Sequence, residues 1–128
     1  MKNNVSKNDV VLVVDDDEDM LILLQIKLAT EGYKPICAPN AEGVIDLIRK
    51  EKPAIVLLDI HMRGVDGGDI CKQIKSDPSI SATPVVLFSA KENIEQVSKE
   101  SGADDFIVKP LNRVKFGVMF NRLITNKT

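Results

Sequence analysis

The chain has 128 residues, 44% of them hydrophobic, with 17 basic against 19 acidic side chains and a formal net charge of -2. That is the size and apolar content of one domain with a core of its own. The charge balance leaves no basic footprint for nucleic acid or an anionic membrane, and no apolar run approaches the ~18–20 residues of a membrane span.

The polar stretch Met1–Asp9 lacks the apolar core of a secretory leader, so a cytoplasmic location is expected. Cys37 and Cys71 form no C-x-x-C pair, and with a single His they make no convincing zinc set; two reduced, partly buried thiols are expected. Val10–Val14 is a short apolar run suited to a strand buried on both faces. Glu18–Glu31 predicts a helix with Met20, Leu23, Leu24 and Leu28 inward, ended by Gly32. Lys34–Ala38 predicts a second strand. Asn40 is expected to cap a helix over Ala41–Glu51, with Val44, Leu47 and Ile48 inward. Pro53 breaks that pattern, and Ala54–Leu58 is a third buried strand.

Gly64, Gly67 and Gly68 mark a loop, followed by a helix over Asp69–Ser76 that Asp77-Pro78 ends. Val85–Phe88 predicts the fourth strand, Glu92–Ser101 a polar helix ended by Gly102, and Phe106–Val108 the fifth strand. Pro110 is expected to open a last helix reaching about Asn126. Strand and helix thus alternate five times. The fold class is α/β, a (βα)5 doubly wound, five-stranded parallel sheet of the flavodoxin-like kind, with strand order 2-1-3-4-5. One domain is expected over 1–128, with its core at about 9–125.

In an open parallel sheet the functional crevice lies at the carboxyl ends of the strands. Asp15, Asp16 and Asp17 follow the first apolar run, Asp59 the third, Ser89 the fourth and Lys109 the fifth. With that strand order, they converge. Acidic residues after strands also serve as helix N-caps, and any one of these alone is open to that reading. Carboxylates so crowded repel one another unless protons or a cation neutralise them. A hard divalent ion such as Mg²⁺ suits them and leaves room for phosphate oxygens. A carboxylate can itself be a nucleophile and form an aspartyl phosphate. A metal held by a carboxylate, an ammonium, and a hydroxyl with backbone N–H groups would neutralise the phosphoryl oxygens during transfer, and Asp16, Lys109 and Ser89 are the right types for these parts.

Four stretches carry a resemblance: Val11–Asp16, Ile55–Ile60, Val86–Ala90 and Gly102–Pro110. Over about residues 9–125 the chain resembles the receiver domains of bacterial two-component response regulators (CheY-like). The resemblance implies a signalling phosphoacceptor and not an enzyme acting on other substrates. Asp59 would take phosphoryl from a histidine kinase or a histidine phosphotransfer protein. Asp15 and Asp16 would hold Mg²⁺, with Mn²⁺ able to substitute, together with Asp59 and the backbone carbonyl of His61. Ser89 matches the switch hydroxyl, Phe106 the switch aromatic, and Lys109 the lysine of the site. Asp17 is expected to cap the first helix. The side chains of His61 and Lys91 occupy positions that tune phosphoryl lifetime in that family. Arg63 departs from it, standing where Pro is usual, which frees a backbone N–H and loosens the loop.

The resemblance also implies a switch. On phosphorylation Ser89 turns toward the phosphoryl group, Phe106 moves inward, and the surface of the fourth helix, fifth strand and fifth helix changes for a downstream protein or a homodimer. In the last helix Phe116, Phe120, Leu123 and Ile124 form the expected core stripe; Leu111, Val114 and Val118 form a second. Leu21, Ile22 and Ile26 exceed one core stripe and suit docking of the phosphodonor. Other readings remain at this point: a module of the same fold that is not phosphorylated, a phosphatase of the haloacid-dehalogenase class, or a flavin-binding module. The phosphatase would want a D-x-D pair after the first strand. The flavin module would want a Ser/Thr/Gly-rich phosphate loop there, where three aspartates would repel the ligand.

Overall fold

A computed structural model describes residues 9–90, 93–110 and 115–125. Its elements are β1 (Val10–Val14), α1 (Glu18–Thr30), β2 (Lys34–Ala38), α2 (Val44–Glu51), β3 (Ile55–Asp59), β4 (His61–Met62), β5 (Val65–Asp66), α3 (Gly67–Ser76), β6 (Val85–Ser89), α4 (Ile94–Ser101), β7 (Asp105–Val108) and α5 (Phe116–Thr125). The two-residue strands β4 and β5 pair antiparallel as a small hairpin. The other five make one parallel sheet in the order β2-β1-β3-β6-β7, which is the expected 2-1-3-4-5 order.

The near-continuous apolar sequences of β1, β3 and β6 follow from burial on both faces. Alternate residues serve opposite layers. Val11, Val13, Leu57, Val86 and Phe88 meet Leu24 and Leu28 of α1 and Phe116 and Phe120 of α5. Leu12, Val14, Val56, Leu58 and Leu87 meet Val44, Ile48, Ile74 and Ile94 of α2, α3 and α4. Lys75 fastens the second layer at the sheet's amino end. Its ammonium lies 2.7 Å from Asp104 Oδ2 and donates to the carbonyls of Ser81 and Thr83. The same Asp104 oxygen accepts the Val85 N–H at 2.8 Å, where β6 begins. Among the described residues no helix is long and apolar enough to cross a membrane.

Several boundaries differ from the expectation. The core stripe of α1 is Leu21, Leu24 and Leu28, with Met20 packed at its margin, whereas Leu23 is exposed beside Ile22 and Ile26. Four adjacent or near-adjacent aliphatic residues fit two overlapping stripes, and the sheet selects one. Helix α2 begins three residues late: Asn40 Oδ1 accepts the Glu42 N–H in a local turn, and Gly43 at φ +76° interrupts the helix before Val44. Helix α3 begins two residues early, because Asp66 caps it by accepting the Gly68 N–H at 2.7 Å. The last helix does not run on from Pro110, since Lys115, the residue before it, is non-helical. Helix α5 starts at Phe116, where the Gly117 N–H donates to Glu31 Oε1 at 2.9 Å, so a residue from the end of α1 satisfies a free helix-terminal donor. Leu111, Val114, Lys91, Glu92 and Asn126 lie outside the described residues.

Candidate functional site

Parallel pairing brings the strand ends level. Val14 pairs with Leu58, Asp59 with Phe88, and Ser89 with Val108. Asp15 and Asp16 therefore leave β1 next to Asp59, the last residue of β3, and Lys109 follows β7. Asp15, Asp16 and Asp59 each offer a carboxylate oxygen, and these oxygens all lie within 4.8 Å of one another. Asp15 and Asp59 are buried and Asp16 is half-buried. The Lys109 ammonium lies 3.9 Å from Asp15 Oδ2 and 3.8 Å from Asp59 Oδ2, in reach of an ion pair with both. It also sits 5.1 Å from the centroid of the Phe88 ring.

Each carboxylate has one oxygen fixed by a backbone N–H. Asp17 donates to Asp15 Oδ1 at 3.0 Å, His61 to Asp59 Oδ1 at 3.2 Å, and Arg63 to Asp16 Oδ2 at 2.8 Å. The opposite oxygen of Asp15, Oδ2, is buried and accepts no hydrogen bond from the described residues. Burial pushes the Asp15 carboxyl up to about 7; the Asp17 N–H works against the shift, the negative charge of Asp59 adds to it, and Lys109 lowers it. A buried acid oxygen without a donor, facing two more carboxylates, is what a hard divalent cation relieves. The donor set is all oxygen and anionic, so the residues present fit such an ion.

Ser89 closes β6 with its side chain buried, and its carbonyl accepts the Lys109 N–H at 2.9 Å. Phe106 pairs in register with Leu87, two residues before Ser89, so Phe106 and Ser89 project from one face of the sheet. Phe106 is half-buried and packs against the layer containing Leu87. Asp17 caps α1 by accepting the Asp19 and Met20 N–H groups, as expected. The His61 side chain is exposed. Beside the cluster opens a cavity of about 340 Å³, lined among others by Asp16, Asn40, Met62 and Arg63.

Two contributors were not singled out from the sequence as parts of the site. Gly67 packs directly on the Asp59 backbone: a Cβ there would lie 2.2 Å from the Asp59 carbonyl oxygen. The Arg63 N–H was legible only as a donor that Pro would lack, without its acceptor.

Comparison with known proteins matches residues 11–120 to the family model described as response regulator receiver domain. The N-terminal domain of a response regulator receiver protein from Methanoculleus marisnigri is 34% identical, over 79% of this chain and 84% of that one, with a TM-score of 0.72. The response regulator TrrA from Thermotoga maritima, solved in complex with Mg²⁺ and BeF, is 27% identical over 90% of this chain and 98% of that one, with a TM-score of 0.78. A signal receiver domain of a signal transduction histidine kinase from Syntrophus aciditrophicus is also 27% identical, over 92% and 91%, with a TM-score of 0.80.

Proposed function

This chain belongs to the family of response regulator receiver domains, and from that premise we propose that it accepts a phosphoryl group on Asp59 and signals by the surface change that follows. The single observation that carries this reading is the crowding of Asp15, Asp16 and Asp59 oxygens within 4.8 Å, beside the ammonium of Lys109. In the proposed reaction an Asp59 carboxylate oxygen attacks the phosphorus of a phosphohistidine. The O–P bond forms, the N–P bond breaks, and the imidazole leaves with the electron pair. Asp59 Oδ1 is held by the His61 N–H, which orients the carboxylate and leaves Oδ2, the oxygen nearer Lys109, as the nucleophile. Lys109 neutralises one phosphoryl oxygen and Ser89 donates to another. Mg²⁺, held by Asp15, Asp16, Asp59 and the His61 carbonyl, would supply the remaining charge neutralisation. The TrrA complex with Mg²⁺ and BeF supports that assignment.

The donor is a histidine kinase or a histidine phosphotransfer protein in the cytoplasm, and the exposed Ile22, Leu23 and Ile26 of α1 suit its docking. The readout follows from Ser89 and Phe106 sharing one sheet face. When the hydroxyl moves to the phosphoryl group, the half-buried Phe106 moves into the space it leaves, and the α4–β7–α5 surface changes. His61 and Lys91 would set how long the phosphoryl group lasts.

Beryllofluoride, which forms a phosphoryl-like adduct on carboxylates, tests the proposal. With Mg²⁺ it should shift backbone NMR resonances both at the acidic cluster and around Phe106. Asp59→Asn should abolish both sets of shifts. Ser89→Ala should keep those at the cluster and lose most of those around Phe106. Equal remote shifts in the Ser89→Ala protein would remove the coupling. Equal shifts in the Asp59→Asn protein would remove the acceptor.

A further inference from the structure

We infer that the backbone N–H of Arg63 positions the Asp16 carboxylate for the divalent cation, giving this chain a metal ligand oriented from the β4–β5 hairpin. The inference rests on the metal-binding reading above and adds a positioning group to it. Asp16 lies just beyond β1, and none of the described residues of its own segment hydrogen-bonds its side chain. Among the described residues its one hydrogen bond comes from Arg63, 47 residues away in sequence, whose N–H donates to Oδ2 at 2.8 Å. A free carboxylate rotates broadly about its last torsion. A short hydrogen bond to the charged group removes that freedom before the cation arrives. An ionised carboxylate has about four acceptor sites, so it can keep the N–H while it binds metal.

The donor stands on a fixed platform. Met62, next to Arg63, is buried and pairs with Val65, and His61 pairs with Asp66, which caps α3. Gly64 at φ +66° completes the turn. Proline at residue 63 would have no N–H to give. The neighbouring cavity of about 340 Å³ leaves room for the waters that Mg²⁺ retains. The Arg63 side chain is exposed, so the backbone group carries the effect.

Comparing Arg63→Pro with Arg63→Ala isolates the donor, because both lack the guanidinium and only proline lacks the N–H. Calorimetric titration with Mg²⁺ should show Arg63→Pro binding about three- to tenfold more weakly than Arg63→Ala, a size expected for a lost hydrogen bond to a charged group that water partly replaces. Adding Asp16→Ala to both should erase the difference. A second measurement needs no change at residue 63. In the metal-free protein the Arg63 amide proton should resonate downfield and exchange slowly, and in Asp16→Ala it should move upfield and exchange faster. Equal Mg²⁺ affinity in the two residue-63 variants, or an Arg63 amide indifferent to Asp16→Ala, would overturn this inference alone. A wild-type protein that binds no Mg²⁺ would overturn it together with the metal-binding reading.

Discussion

Asp15→Asn should make the metal-free protein more stable at pH 8 by up to about 4 kcal/mol while leaving its stability near pH 4 almost unchanged. Asp15 is buried, its Oδ2 accepts no hydrogen bond from the described residues, and its carboxyl is pushed from the ordinary 3.8 up to about 7, with burial as the leading cause. Between about pH 4 and 7 the folded protein therefore holds a proton that the unfolded chain has released. Stability falls as pH rises wherever the folded state binds more protons, so the loss accumulates from pH 4 and levels off above 7. Asparagine cannot ionise and escapes that loss. Mg²⁺ should invert the ranking, because an ion that binds only the folded wild type stabilises it in proportion to the logarithm of its saturation. Denaturant unfolding in chelator at pH 4 and 8, repeated at pH 8 with Mg²⁺, gives the comparison. Parallel pH profiles for the two proteins in chelator would remove the account of Asp15 as a strained, buried acid.

Gly67→Ala should lower stability by about 2–4 kcal/mol and the melting temperature by roughly 5–15 °C. The added Cβ would lie 2.2 Å from the Asp59 carbonyl oxygen, 2.7 Å from Ile60 Cα and 2.9 Å from the Asp59 carbonyl carbon. All three are backbone atoms of the segment that carries Asp59, so no side chain can swing away to make room. The Gly67 N–H also donates to the Ile60 carbonyl at 2.8 Å, which holds the two segments at this distance. Relief requires α3 to retreat or the end of β3 to shift, and either displaces the Asp59 carboxylate from its partners. Gly64→Ala is the control: nothing lies within 4 Å of a Cβ there, so only the positive φ opposes it, at about 1 kcal/mol. Thermal melts of the two variants should separate clearly. Similar small losses in both would mean that the contact of Gly67 with β3 is not rigid.

The parts of this molecule visible in the sequence are those set by local pattern. Val10–Val14 and Val85–Phe88 read as buried strands because central parallel strands tolerate no polar face, and Asp15 after the first and Ser89 after the second mark the edge where the strands stop. Once the strand order is given, the meeting of Asp15, Asp16, Asp59 and Lys109 follows from register. What sequence reading lost depends on distant partners. Leu21 and Leu23 are equally apolar, and only packing against β1 and α5 decides which is buried. The start of α5 depends on Glu31, far away in the chain, and the tight approach of Gly67 depends on the path of β3. Residue 63 shows the intermediate case: the sequence revealed a freed N–H, and only the fold revealed Asp16 as its acceptor.

Incubation with a small phosphodonor such as acetyl phosphate, followed by intact mass and peptide mapping, tests the acceptor directly. One phosphoryl group per chain on Asp59, formed with Mg²⁺ and absent in chelator, is the predicted result. Label on a different side chain, or label that forms equally well without a divalent ion, would contradict it.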